Sequence, residues 1–112
     1  MPASTMSATP AYDPSPDFVY AVSLLAALED AAGPAGRADV LPFLGMARAE
    51  LTDFGQNSPA AYISVQVSDV RSGLCDLAHC LAELLDASTV LHHSLRIDAA
   101  LRLLLRGRAA GA

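Results

Sequence analysis

Apolar residues recur along this chain at steps of three and four, the spacing that lines one side of an α-helix. The longest such run is Ile63, Val67, Val70, Leu74, Leu77, Leu81 and Leu84. It predicts one helix over 59–86, with Ser58 as N-cap and Pro59 at the first helical position, where its missing N–H costs nothing. Inside it, Ile63, Val65 and Val67 alternate with Ser64, Gln66 and Ser68, so a strand over 60–68 competes. The helix is preferred because its stripe continues for several further turns, although Gly73 is a point at which it could break.

Three shorter stripes surround this one. Ser15, Pro16 and Asp17 form a helix start, and Phe18, Ala21, Val22, Leu25 and Leu28 follow on one face, with Gly33-Pro34 as the stop. Asp39 is placed to cap a second helix, whose first turn can hold Pro42. Val40, Leu44, Ala47, Leu51 and Phe54 share its inner face, and Gly55 suits the position just past its end. Ser88 or Thr89 can cap a last helix with the stripe Val90, Ile97, Leu101 and Leu104, ended by Gly107. The predicted fold is all-α, a four-helix up-down bundle with one long central helix, because short connections make neighbours antiparallel. Residues 1–14, rich in Pro, Ser, Thr and Ala, read as a disordered leader; 15–107 form the bundle domain and 108–112 a frayed tail.

The long helix also bears on assembly. At about 1.5 Å per residue, a helix over 59–86 reaches roughly 42 Å, against roughly 24 Å for each of the first two. Its side opposite the apolar stripe carries Ala61, Val65, Ser68, Ser72, Cys75 and His79, small or weakly polar residues where a solvated helix carries Glu, Lys and Arg. These six residues are the expected interface, and a second copy of the chain is the expected partner, giving a homodimer.

Composition narrows the picture. The chain has 112 residues, one domain's worth, and 53% are hydrophobic with no Trp, which suits a core of Leu, Val and Ala. No stretch is long and apolar enough to span a bilayer and no secretory signal opens the chain, so the expectation is a cytoplasmic protein with no membrane partner and with Cys75 and Cys80 as free thiols. The net charge is −5, and every base is Arg; with so much Ala, this is the mark of a GC-rich bacterial genome. An acidic body argues against nucleic acid as a partner. The exception is the end of the chain, where Arg96, Arg102, Arg106 and Arg108 face a single acid, Asp98.

Chemistry-bearing side chains concentrate at Cys75, Asp76, His79, Cys80 and Glu83, with His92 and His93 beyond. Cys75 and His79, four apart on one helix face, could hold a metal ion, with further ligands from His92, His93 or a second subunit. Cys80, five residues from Cys75, points elsewhere. The segment Ala78-His79-Cys80-Leu81 resembles the start of the pattern in histidine phosphotransfer domains, which are four-helix bundles with an exposed His on a long helix. That resemblance implies phosphoryl acceptance at His79. The Lys of the pattern is absent, and Glu83 would repel a phosphoryl group. Asp76 with His79, or His79 with Glu83, could touch on one helix, but such pairs are common on solvated helix surfaces. Gly-rich phosphate loops and nucleophile elbows are missing from the sequence, and no cofactor is implied. The sequence therefore reads as a small non-enzymatic interaction or regulatory protein, a homodimer or an adaptor for another protein. A metal- or thiol-based sensor using Cys75 and His79, and a phosphotransfer-like module using His79, are the alternatives.

Overall fold

The computed structural model describes residues 15–52 and 61–110. Among them are four α-helices and no strand: α1 Pro16–Ala32, α2 Leu41–Thr52, α3 Val70–Ala87 and α4 Leu91–Ala110. The all-helical class follows the sequence pattern. Several helix boundaries depart from it.

The first helix starts as its residues dictate. Ser15 is extended, and its hydroxyl accepts from the Phe18 N–H at 3.2 Å, with Pro16 opening the first turn. Phe18, Ala21, Val22, Leu25 and Leu28 are all buried. The helix ends at Ala32, but Gly33 keeps helical angles, and the residue in the left-handed region is Gly36, φ 76°. The turn is closed by the Arg37 N–H donating to the Ala32 carbonyl at 2.8 Å. Asp39 does not cap α2. It lies in a 3-10 turn, Ala38–Val40, and its carboxylate takes two bonds from Arg37, at 3.2 and 3.3 Å. Val40, Leu44, Ala47 and Leu51 are buried as the stripe predicts, while Phe54, Gly55, Ser58 and Pro59 lie outside the described residues.

The long central helix over 59–86 is not formed. Residues 61–69 are neither helix nor strand, and α3 begins at Val70 behind an N-cap at Asp69, whose carboxylate accepts from the Ser72 N–H at 2.9 Å. The physical reason lies in the residues. Ile63, Val65 and Val67 are β-branched and interleaved with Ser and Gln, a poor helix segment, and Asp69 is a strong N-cap. Val65 and Val67 rest on the core, and the Ile63 N–H donates to the buried Ser23 hydroxyl at 3.0 Å. The segment is thus an extended strap laid over α1. Gly73 breaks nothing. It is buried in the first turn of α3 against Leu28.

Gly107 does not end the last helix either. α4 runs on through Ala110, so the frayed tail expected from residue 108 is helical as far as Ala110. Gly107 is buried, and a Cβ there would lie 3.1 Å from the Cβ of Phe43. Its lack of a side chain serves the approach of α4 to α2.

Each helix packs against two others, α1 against α2 and α3, and α4 against α2 and α3. The sequence-adjacent α2 and α3 are therefore diagonal, and the connection between them, over 53–69, is not short. Directions follow from the cross-contacts. Gly73 meets Leu28 while Cys80 meets Asp17, so α1 and α3 are antiparallel. Gly107 meets Phe43 while Arg96 meets Glu50, so α2 and α4 are antiparallel. With α1 joined to α2 and α3 to α4 by short connections, the helices form two hairpins, α1–α2 and α3–α4, packed on one another. The core between them includes the fully buried Leu25, Leu28, Leu44, Leu77, Leu81 and Leu104, each contributing about 2 kcal/mol by removal from water. Two ion pairs tie helices at the rim: Arg48 grips both carboxylate oxygens of Glu29, and Arg96 donates to Glu50 at 2.9 Å.

Candidate functional site

The predicted reactive cluster sits on the outward side of α3. Leu74, Leu77 and Leu81 turn inward, which leaves Ser72, Cys75 and His79 exposed. His79 Nε2 lies 3.4 Å from the Glu83 carboxylate one turn on, and both side chains are mostly in water, so the pair contributes little. The six residues expected to form one helical face do not share one. Ala61, Val65 and Ser68 belong to the extended strap, where Val65 is half-buried on the core and the other two are exposed.

The two cysteines have different surroundings. Cys75 is exposed and free. Cys80 is half-buried, and its thiol donates weakly to the Asp17 carbonyl at 3.8 Å. Burial pushes the Cys80 thiol pKa up, and the Asp17 and Glu83 carboxylates push the same way. Cys80 is therefore the poorer nucleophile and ligand of its type. His92 is exposed and His93 half-buried, with ring centroids 6.0 Å apart. Among the described residues, no three of the His, Cys, Asp and Glu side chains stand close enough to hold a metal ion. A metal at Cys75 and His79 would have to draw further ligands from outside the described residues. His79 has the exposure a phospho-acceptor needs, but its near neighbour is the carboxylate of Glu83.

A cleft of about 640 Å³ opens where the end of α1 meets the start of α3, lined among others by Ala31, Pro34, Arg37, Val67, Asp69 and Arg71. Its charged groups are largely engaged. Arg37 holds Asp39, and Asp69 caps α3. The Ser72 backbone N–H, then its side chain, and more weakly Arg71 and Arg37, keep the Asp69 carboxyl below the usual carboxylate range. The cleft is an open notch at a helix start, with Arg37 and Asp69 engaged in holding the structure.

The feature that sequence reading missed is the outward face of α4. Leu91 is 74% exposed, Leu95 60% and Leu105 44%. With Asp98, Arg102 and Ala109 they recur at steps of four and three, so at about 100° per residue they stay within one strip. That strip lies opposite the buried Ile97, Ala100 and Leu104. The signal is present in the sequence as a second stripe interleaved with the first. It was hidden because the buried stripe alone accounts for a bundle helix. Midway along the strip, Arg102 Nε donates to Asp98 Oδ2 at 2.9 Å.

Among the described residues no helix is long and apolar enough to cross a membrane. No protein-family model, no curated protein and no solved structure matches the chain.

Proposed function

We propose that this chain is a small, non-enzymatic helical interaction protein that acts as a homodimer or as an adaptor for another protein. The observation that carries the reading is the α4 strip, which holds Leu91 and Leu95 in water on the side away from the core. Single exposed leucines are ordinary on a protein surface, but leucines aligned along one helix face are a docking surface in waiting. The Ser72, Cys75 and His79 side of α3 is exposed too, but it offers small and polar groups and is the weaker anchor. The metal and phosphotransfer readings gain no supporting contact from the arrangement around His79.

The test compares the wild-type chain with the Leu91→Glu/Leu95→Glu double variant, by light scattering and by pull-down from source-cell extract. Both sites are exposed, so the variant keeps its fold, which circular dichroism checks. Self-association or a captured partner that the variant loses is the expected result. A wild-type chain that is monomeric and captures nothing dependent on these leucines overturns the reading.

A further inference from the structure

We infer that the α4 strip pairs with the same strip of a second copy, antiparallel, about a two-fold axis at the level of Ala100. The inference rests on the interaction reading above and specifies its occupant and register.

The argument is one of self-complementarity. In a two-fold pairing the same patch must meet itself, so each residue needs a suitable partner on its own helix. Centred on position 100, Leu95 meets the partner's Leu105, Leu91 meets the partner's Ala109, and Asp98 meets the partner's Arg102. Both polar positions of the strip are then matched by opposite charge, and the remaining positions match apolar to apolar. The steps of four and three are those of a helix–helix seam. A parallel pairing in the same register sets Asp98 against Asp98 and Arg102 against Arg102, so charge alone selects the antiparallel form.

Two further observations fit this alignment. The Asp98–Arg102 bond within one helix already orients both groups along the strip, so a second copy extends it into a four-membered ring of alternating charge. The basic end of α4, with Arg106 and Arg108, is also carried toward the start of the partner's α4, which follows the last turn of α3, where Asp86 is exposed. The chain's uneven charge, an acidic body with a basic end, becomes complementary in this arrangement.

A face of one helix about 30 Å long buries less than the roughly 1,200 Å² of a standard stable complex, so the pairing is reversible, in the micromolar range. Sedimentation of the full chain between about 5 and about 500 µM therefore brackets it. The decisive variants are Asp98→Arg and Arg102→Asp, studied alone and mixed. Each alone sets like charges against each other twice across the axis and is expected to be monomeric, at least ~10-fold weaker than wild type. Mixed one to one, they restore every opposite-charge pair and are expected to form a heterodimer. Circular dichroism confirms that each single variant keeps its helices.

A wild-type dimer indifferent to both variants overturns the antiparallel seam and leaves the interaction reading in place. So does a pair of monomeric variants that fail to dimerise when mixed. A wild type that stays monomeric over the whole range overturns the second copy as occupant. In that case, Leu91- and Leu95-dependent capture of another protein decides whether the interaction reading survives.

Discussion

Gly73 and Leu28 meet where α3 crosses α1, and a Cβ on Gly73 would lie 2.6 Å from Leu28 Cδ2. Leu28 is fully buried, so it has little room to retreat. In Gly73→Ala, a gain of about 1 kcal/mol in helix propensity opposes about 1–3 kcal/mol of overpacking. The expected net effect is a loss of about 1 kcal/mol in urea unfolding. Trimming the neighbour should reverse the sign: in a Leu28→Ala background, Gly73→Ala should become neutral or stabilising. Additive effects of the two changes would contradict the contact.

Asp69 makes the start of α3 sensitive to acid. Its folded pKa is lowered from 3.8, chiefly by the Ser72 backbone N–H, so the ionised carboxylate favours the folded state. That contribution is present above the unfolded value and is lost as pH falls through the lower folded value. Asp69→Ala should therefore lower the melting temperature at about pH 7 and make a smaller difference below about pH 3. An equal difference at both pH values would show that the cap does not depend on charge.

The two thiols should react at different rates. Cys75 is exposed, whereas Cys80 is half-buried, bonded to the Asp17 carbonyl and raised in pKa by burial. A thiol-specific reagent at mildly alkaline pH is expected to give one fast and one slow phase. Cys75→Ser should remove the fast phase and leave the slow one. A single shared rate would mean that the contact between α1 and the middle of α3 opens freely.

The ion pair between Glu29 and Arg48 joins α1 to α2. The pair raises the Arg48 pKa, mainly through its hydrogen bond to Glu29. Arg48 is nearly half exposed, so solvent screens the attraction, and a double-mutant cycle of Glu29→Ala and Arg48→Ala should give a coupling of less than about 1 kcal/mol. A larger coupling would indicate a drier rim than the exposure of these side chains suggests.

The residues differ in how openly they declare their roles. Ser15-Pro16-Asp17 states a helix start, and the stripe from Phe18 to Leu28 is buried as written. The start of α3 could not be read the same way. Residues four apart satisfy both the helical and the alternating template, so Ile63 and Val67 fitted a helix while Val65 already marked the alternation. What decides the matter is tertiary: Val65 and Val67 both rest on the core, while Ser64, Gln66 and Ser68 beside them are exposed. Gly107 looked like a stop because a late glycine commonly ends a helix, and its real reason, Phe43, is far away in sequence. The exposed leucines of α4 are hard to read for a related cause: they lie between the members of a plainer, buried stripe.

The stacking of α1–α2 against α3–α4 has a consequence for how the molecule can be taken apart. Each hairpin is joined by a short local turn, and the core lies between the two. A cut within 53–60 leaves each fragment with a complete hairpin and half of the core's leucines. Residues 15–52 and 61–110, expressed separately, should each be poorly structured and should recover helicity on mixing, as halves of a split reporter do. The molecule is in that sense already a complex of two pieces, held together by one covalent thread.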